Sequence, residues 1–327
     1  MISKTKAHRS YRSELAFLSV MTLVFGMACL YLGYLILPIA AGFYAALLAF
    51  EKKEGRACSY IIPLIPLVIN VFVNGFCSLE AIAYVVVGTI IFLGFDQKKN
   101  KASVFFIASV ALIFMMGVSL VLLAFDEFGF FEFSAVPDFY SNLYENLKLK
   151  FADQLTSITA KDDNGVLFYV YNASDAVELF NLIVFCLIPV IAIFSLITVG
   201  LCDKILRKRI AKFDSEDTRL VNWKFVTSPF ISYTYVVFYV LSSFSSQGIV
   251  GTSLLIVSMI LMSVYLYVGL VSIYGFISSK KGSKFAILSL IFIFVFFSSY
   301  APQIVSLIGV FVNNAEYKRT NAADING

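Results

Sequence analysis

The sequence predicts an all-α fold, a polytopic transmembrane helix bundle of about nine spans, within a range of roughly eight to ten, and three observations predict it. The 25 basic and 21 acidic side chains are confined to short connectors, leaving seven charge-free stretches (15–50, 57–79, 81–95, 102–125, 179–202, 225–279 and 285–315) that together hold 208 of the 327 residues. A hydrocarbon core about 30 Å thick is crossed by about 20 apolar residues in a helix; most of these stretches reach that length and two are long enough to cross twice. The composition, 60% hydrophobic and 14% charged, agrees, because a soluble domain could not solvate such a surface.

The long stretches divide where the sequence offers turn chemistry. The first breaks at Tyr31-Leu32-Gly33-Tyr34, with Pro38 early in the next helix, where its missing N–H costs nothing. In 225–279 the only non-helical punctuation is Ser245-Ser246-Gln247-Gly248, so one helix ends near Phe244 and another begins near Ile249. The expected organisation is a basic N-terminus (1–14), five spans (15–33, 36–50, 59–78, 79–95 and 103–125) and an acidic external segment (126–175). Four spans follow (176–202, 225–244, 249–276 and 285–312), with a basic loop at 203–224 and a polar tail at 314–327. The last stretch carries Pro302 and reads either as one kinked crossing or as two, which decides the side of the C-terminus.

Orientation follows from the cations, because short cytoplasmic loops keep Lys and Arg. Twenty of the 25 map to one side: four before the first span, three after the second, three after the fourth, seven in 204–224 and three in 280–284. The segment 126–178 holds ten acids and three bases. The N-terminus is therefore expected inside a bacterial plasma membrane, and nine spans put the tail outside, against the pull of Lys318 and Arg319. The first apolar run is too long for a cleaved signal and lacks a small-residue cleavage site. The five cysteines show no paired spacing and read as small buried hydrophobes.

Within the external segment Phe139, Leu143, Leu147, Phe151 and Leu155 recur every four residues, an amphipathic helix over about 137–158 between spans five and six. It would lie on the outer leaflet, cap the bundle, or serve as a lid over a site. Asp162-Asp163-Asn164-Gly165 reads as a turn of a short hairpin.

The chemistry is informative through what is missing. The one histidine, His8, lies in the N-terminal tail, and no aspartate falls mid-span. Serine, zinc and aspartyl chemistry of the bilayer therefore lack their base or ligands. There is no Gly-rich phosphate loop. The chain is expected not to be an enzyme, to hold no metal or cofactor, and to bind no nucleic acid. Ion-coupled carriers place ionisable residues near the midplane. This chain has none there, so any transport would draw its energy from a partner.

Polar residues inside spans gather modestly. Asn70 and Asn74, one turn apart after Pro63 and Pro66, share a face near Glu80 in sequence and with Tyr34 form a candidate outward ligand pocket. Equally, the asparagines could hydrogen-bond neighbouring helices. Ala41, Ala45 and Ala49, with Gly42 and Ala46 beside them, form a small-residue stripe that serves either internal packing or a partner subunit.

The order of elements resembles the YybS-like family of bacterial multi-pass membrane proteins, a domain family of unknown function. The resemblance covers most of the chain. It rests on the basic exit Lys204-Ile205-Leu206-Arg207-Lys208-Arg209, Trp223-Lys224-Phe225 leading to Pro229, and Leu266-Tyr267-Val268-Gly269-Leu270. It also rests on Leu307-Ile308-Gly309 with Glu316-Tyr317-Lys318-Arg319; Asn313 and Asn314 stand where an aspartate would be expected. That family is similar to the substrate-binding S components of energy-coupling-factor transporters. The resemblance implies docking of a membrane coupling subunit and its ATPase on Ala41, Ala45 and Ala49, and a small-molecule ligand bound from outside. A non-transporting scaffold or assembly factor is the other reading.

Overall fold

The computed structural model describes residues 2–54, 61–74, 79–128, 135–158, 173–213, 225–244, 248–278 and 300–325. Every regular element among them is a helix: α1 (Ile2–Leu32), a 3₁₀ turn (Gly33–Leu35), α2 (Leu37–Glu54), α3 (Leu64–Asn74), α4 (Glu80–Asp96) and α5 (Lys101–Phe128). Then come α6 (Ala135–Ile158), α7 (Ala173–Phe213), α8 (Pro229–Phe244), α9 (Gly248–Ser278) and α10 (Ala301–Ile325). Four helices are long and apolar enough to cross a membrane, over Tyr11–Leu35, Lys101–Phe125, Pro189–Lys212 and Ser253–Phe276. Two shorter apolar helices cover Ala81–Asp96 and Pro229–Ser242. Among the described residues the protein is all-helical, and its four long apolar helices fit a membrane protein.

Proline and glycine set the helix boundaries. Pro38, Pro66, Pro137, Pro229 and Pro302 each fall in the first turn of a helix, where an N–H would have no intrahelical partner. Pro189 alone lies inside one. Between α1 and α2 the chain turns at Gly33, whose φ of +57° is the left-handed conformation that glycine adopts without a Cβ clash.

The first group of helices is built around α2. Its apolar run is short for a crossing, and α1, α4 and α7 surround it. Leu37, Ala40, Ala41, Ala45, Ala46 and Leu47 are fully enclosed. Lipid offers no hydrophobic drive for helices to associate, so close backbone approach and dispersion must hold them. Small residues supply that approach. A Cβ on Gly88 of α4 would lie 2.8 Å from the Ala41 carbonyl oxygen, and one on Gly42 would lie 2.8 Å from Ile205 of α7.

Ion pairs gather the connectors at one end of this group. Lys52 pairs with Asp96, Lys101 with Asp203 at 2.6 Å and Arg207 with Asp203 at 3.0 Å. Arg209 and Lys212 both reach Glu14 at 3.0 Å. The start of α1, the ends of α2, α4 and α7 and the start of α5 thus share a basic end. At the opposite end α6 seats on the first turns of α7. Tyr144 hydrogen-bonds Asn181, and the Phe151 and Phe180 rings lie 5.6 Å apart. The expected apolar stripe of α6 is split: Phe151 faces α7, whereas Leu143 and Leu147 are 39% and 48% exposed.

In the second group α8 runs antiparallel to α10, as Tyr235 meets Ser306 while Thr227, just before α8, meets Asn313. Helices α9 and α10 run parallel and nearly touch. A Cβ on Gly309 would lie 1.9 Å from the Tyr265 carbonyl oxygen, and one on Gly269 would lie 2.1 Å from that of Val305. Glu316, late in α10, lines a cavity with Lys101 and Arg207 and so lies at the basic end.

Helix α10 carries Asn313 and Glu316 to the basic end. Tyr300 is a turn and the last helix begins at Ala301 with Pro302 in its first turn, while residues 285–299 of the last expected span lie outside the described residues. The polar tail is helical to Ile325. The expected hairpin around Asp162-Asp163-Asn164-Gly165 lies outside the described residues.

Candidate functional site

Of the four residues expected to line an outward pocket, the side chain of one is described. Tyr34, on the 3₁₀ turn, shares a hydrogen bond of 2.8 Å with Ser119 of α5. Asn70 and Asn74 sit on α3 and Glu80 opens α4; their side chains lie outside the described set.

Ala41, Ala45 and Ala49, the stripe to which the resemblance gives docking, lie on α2. Ala41 and Ala45 are fully buried within this chain, and Ala49 is partly buried. Helix α2 lies against α4 and α7, and a Cβ on Gly88 of α4 would meet the Ala41 carbonyl oxygen. The small-residue signal was correct about close approach and silent about which chain approaches.

The most unusual polar feature lies where α1, α3 and α4 meet. Leu18, Thr22 and Cys29 are fully buried along one face of α1, with Gly26 among them. A Cβ on Gly26 would lie 3.0 Å from Pro66 Cγ and 3.0 Å from the Tyr84 hydroxyl. The glycine therefore opens the space into which Tyr84 projects from α4. Tyr84 and Thr22 are both fully buried, and neither the Tyr84 hydroxyl nor Thr22 Oγ1 has a hydrogen-bond partner among the described residues. A buried donor left unmade costs about 1–3 kcal/mol, and such groups in a well-packed seam mark a place where another polar group belongs. Position 70 follows Pro66 by one helical turn, on the same side of α3 by register.

At the basic end, one carboxylate serves two cations. Asp203 accepts from Lys101 Nζ through Oδ2 (2.6 Å) and from Arg207 Nε through Oδ1 (3.0 Å). Its side chain is 6% exposed and that of Lys101 is 12% exposed. Lys101 also lies over the Phe105 ring at 5.1 Å. Beside it, Glu14 accepts from Arg209 and Lys212, and the Arg209 guanidinium stacks over Phe17 and Phe43 at 4.7 and 5.2 Å. Arg at such a site both pairs and stacks, which Lys could not reproduce.

Between α8, α9 and α10 the polar groups are satisfied. Asn313 accepts from the Thr227 backbone N–H (2.8 Å) and donates to the Thr227 carbonyl (3.0 Å). Tyr265 reaches Ser232 (3.0 Å) and Thr227 (3.2 Å), and Ser232 donates to Asn314 (2.9 Å). Of the two asparagines, Asn314 accepts through Oδ1, whereas the Asn313 amide both donates and accepts across this seam, which a carboxylate could not do.

The sequence reading did not single out Tyr84, Thr22 or Asp203. For the hydroxyls no signal was available, since a helical Ser or Thr commonly bonds its own backbone. For Asp203 there was one: a lone acid heading a basic run at the end of an apolar stretch needs a cation nearby. Comparison with known proteins finds no matching family model, no matching curated protein and no matching solved structure.

Proposed function

We propose that the chain is a solute-binding membrane subunit that holds a small polar molecule in the α1–α3–α4 seam and depends on a partner for energy. The observation that carries this reading is the pair of buried, unpartnered hydroxyls of Tyr84 and Thr22 beside the opening at Gly26. The charge distribution supports the second half. The buried carboxylates Glu14, Glu51 and Asp203 lie at the basic end, so among the described residues no buried carboxylate lies in the middle of the bundle to couple to a proton or ion. The likeness to the YybS-like family and to S components is kept as part of the proposal.

The same reading places both termini in the cytoplasm of a bacterium, with α6 outside. It is supported by the basic end and by the parallel course of α9 and α10. Termini on one side imply an even number of crossings, within the expected range of eight to ten. Reporter fusions at the N-terminus and after Gly327 are expected to report the same side; opposite sides would exclude an even number of crossings.

The second reading, a scaffold without ligand, is supported by the burial of Ala41 and Ala45 within this chain. Native mass spectrometry of gently extracted protein separates the two. The solute-binding reading expects a small-molecule adduct on the wild type that is lost in Tyr84→Phe. Thermal melting of Tyr84→Phe is expected to be unchanged or higher, since an orphan hydroxyl has been removed. A wild type carrying only a bound protein subunit, or an adduct undiminished in Tyr84→Phe and Thr22→Val, would overturn it.

A further inference from the structure

The level at which α6 sits can be read from the helices it touches. Tyr140 donates to the Leu120 carbonyl of α5, Tyr144 donates to Asn181 of α7, and Phe151 meets the Phe180 ring of α7 at 5.6 Å. At the other end of the same two helices Lys101 and Asp203 are paired, which gives α5 and α7 a common reference. With a rise of about 1.5 Å per residue, Leu120 lies about 28 Å from Lys101 along α5, and Asn181 and Phe180 lie about 33–35 Å from Asp203 along α7. A hydrocarbon core is about 30 Å thick. With the charged end at one boundary of that core, α6 falls at the other. Between Tyr140 and Phe151 the helix advances about 16 Å along its own axis while its level changes by only about 6 Å, so it lies close to the membrane plane.

The sides of α6 differ. Beside the side that touches α5 and α7, Leu143, Leu147 and Lys150 follow one another at helical spacing, and all three are exposed. On the far side Asp138, Ser141 and Glu145 recur at the same kind of spacing and are exposed as well. Leu149 is the exception, an exposed apolar residue among the polar ones. A lid closed over a site would have its apolar flank covered by this chain, whereas Leu143 and Leu147 are open. That flank continues an apolar surface already present on the two supporting helices, where Leu120 and Leu123 of α5 and Ile183 and Leu187 of α7 are exposed.

We propose that the Leu143–Leu147 flank of α6 is a lipid-binding surface, sunk into the leaflet opposite the basic end. Leu143 and Leu147 take the acyl chains, and the Lys150 ammonium reaches the headgroup phosphates at the edge of the same flank. The occupant is lipid because the flank lies at the boundary of the hydrocarbon and joins the apolar faces of two helices long enough to reach it. This surface is separate from the α1–α3–α4 seam and stands or falls independently of solute binding there.

The test places a reporter on each side of α6 in the full chain. The single tryptophan is replaced (Trp223→Phe), and Leu147→Trp, Leu143→Trp or Ser141→Trp is added. Each protein is reconstituted in phosphatidylcholine vesicles with and without dibromo-acyl phosphatidylcholine, and acrylamide is then added from the water. A flank sunk about 5–10 Å into the boundary predicts that Leu147→Trp and Leu143→Trp are quenched by the brominated lipid about threefold more strongly than Ser141→Trp. Acrylamide should show the opposite order. Either leucine position giving this pattern supports the surface, so one variant that fails to fold leaves the test intact. Equal quenching of the two sides by brominated lipid would overturn the proposal. So would leucine-position reporters shielded from both quenchers, which would show that a second copy or another part of this chain covers the flank.

Discussion

Replacing Gly309 by alanine is expected to destabilise the purified protein by about 1–3 kcal/mol, the usual effect of forcing atoms into a packed interior, and replacing it by leucine is expected to leave no monodisperse protein. One added carbon at Gly309 would lie 1.9 Å from the Tyr265 carbonyl oxygen and 3.0 Å from the Gly269 nitrogen. Both obstacles are backbone, so no side chain can swing aside and the helices must part. Parting α9 from α10 would also pull Tyr235 from Ser306 and Tyr265 from Ser232. Gly117 of α5 supplies the control, because nothing lies within 4 Å of its added Cβ. Gly117→Ala should melt at the wild-type temperature or above, since a helix-interior glycine is about 1 kcal/mol worse than alanine. Thermal unfolding followed by intrinsic fluorescence compares the three, and equal melting of Gly309→Ala and Gly117→Ala would rule out the close crossing.

Asp203→Asn is the second large effect. It removes the carboxylate that Lys101 and Arg207 share, in a place where Lys101 is 12% exposed and Arg207 23%. Removing one partner of a buried ion pair costs about 3–5 kcal/mol, mostly through the charge left behind. The double variant Asp203→Asn with Lys101→Gln should therefore melt higher than Asp203→Asn alone, because the ammonium that Asp203 compensated has gone. A double-mutant cycle on melting temperature and yield reads this coupling. If Asp203→Asn melts like the wild type, or Lys101→Gln worsens it, the triad does not hold these helices together.

How much could be read in advance depended on whether the signal was local. The helical class was legible because charge-free stretches of bilayer length permit little else, and the break at Gly33 because a glycine amid aromatic residues offers the left-handed turn. The basic end was legible from the cations alone. Partnership was not. Ala41 and Ala45 present the same spacing whether a helix of this chain or of another lies against them. Nor does any local feature of Tyr84 reveal that its hydroxyl ends beside Gly26 of another helix. The start of the C-terminal helix was hidden for a related reason: Pro302 is compatible with both a kink and a first turn, and it is the helix start at Ala301 that makes it a first turn.

The ion pairs of the basic end also set an order of events during synthesis. Glu14 is buried against Arg209 and Lys212, which lie 195 and 198 residues later in the chain. Lys101 likewise waits 102 residues for Asp203. When the first five helices have emerged, their buried charges still lack these partners, and closing such distant contacts is slow. Helix α7 is thus the element whose arrival completes the first group, and the nascent bundle must remain open to it until residue 212 has left the ribosome.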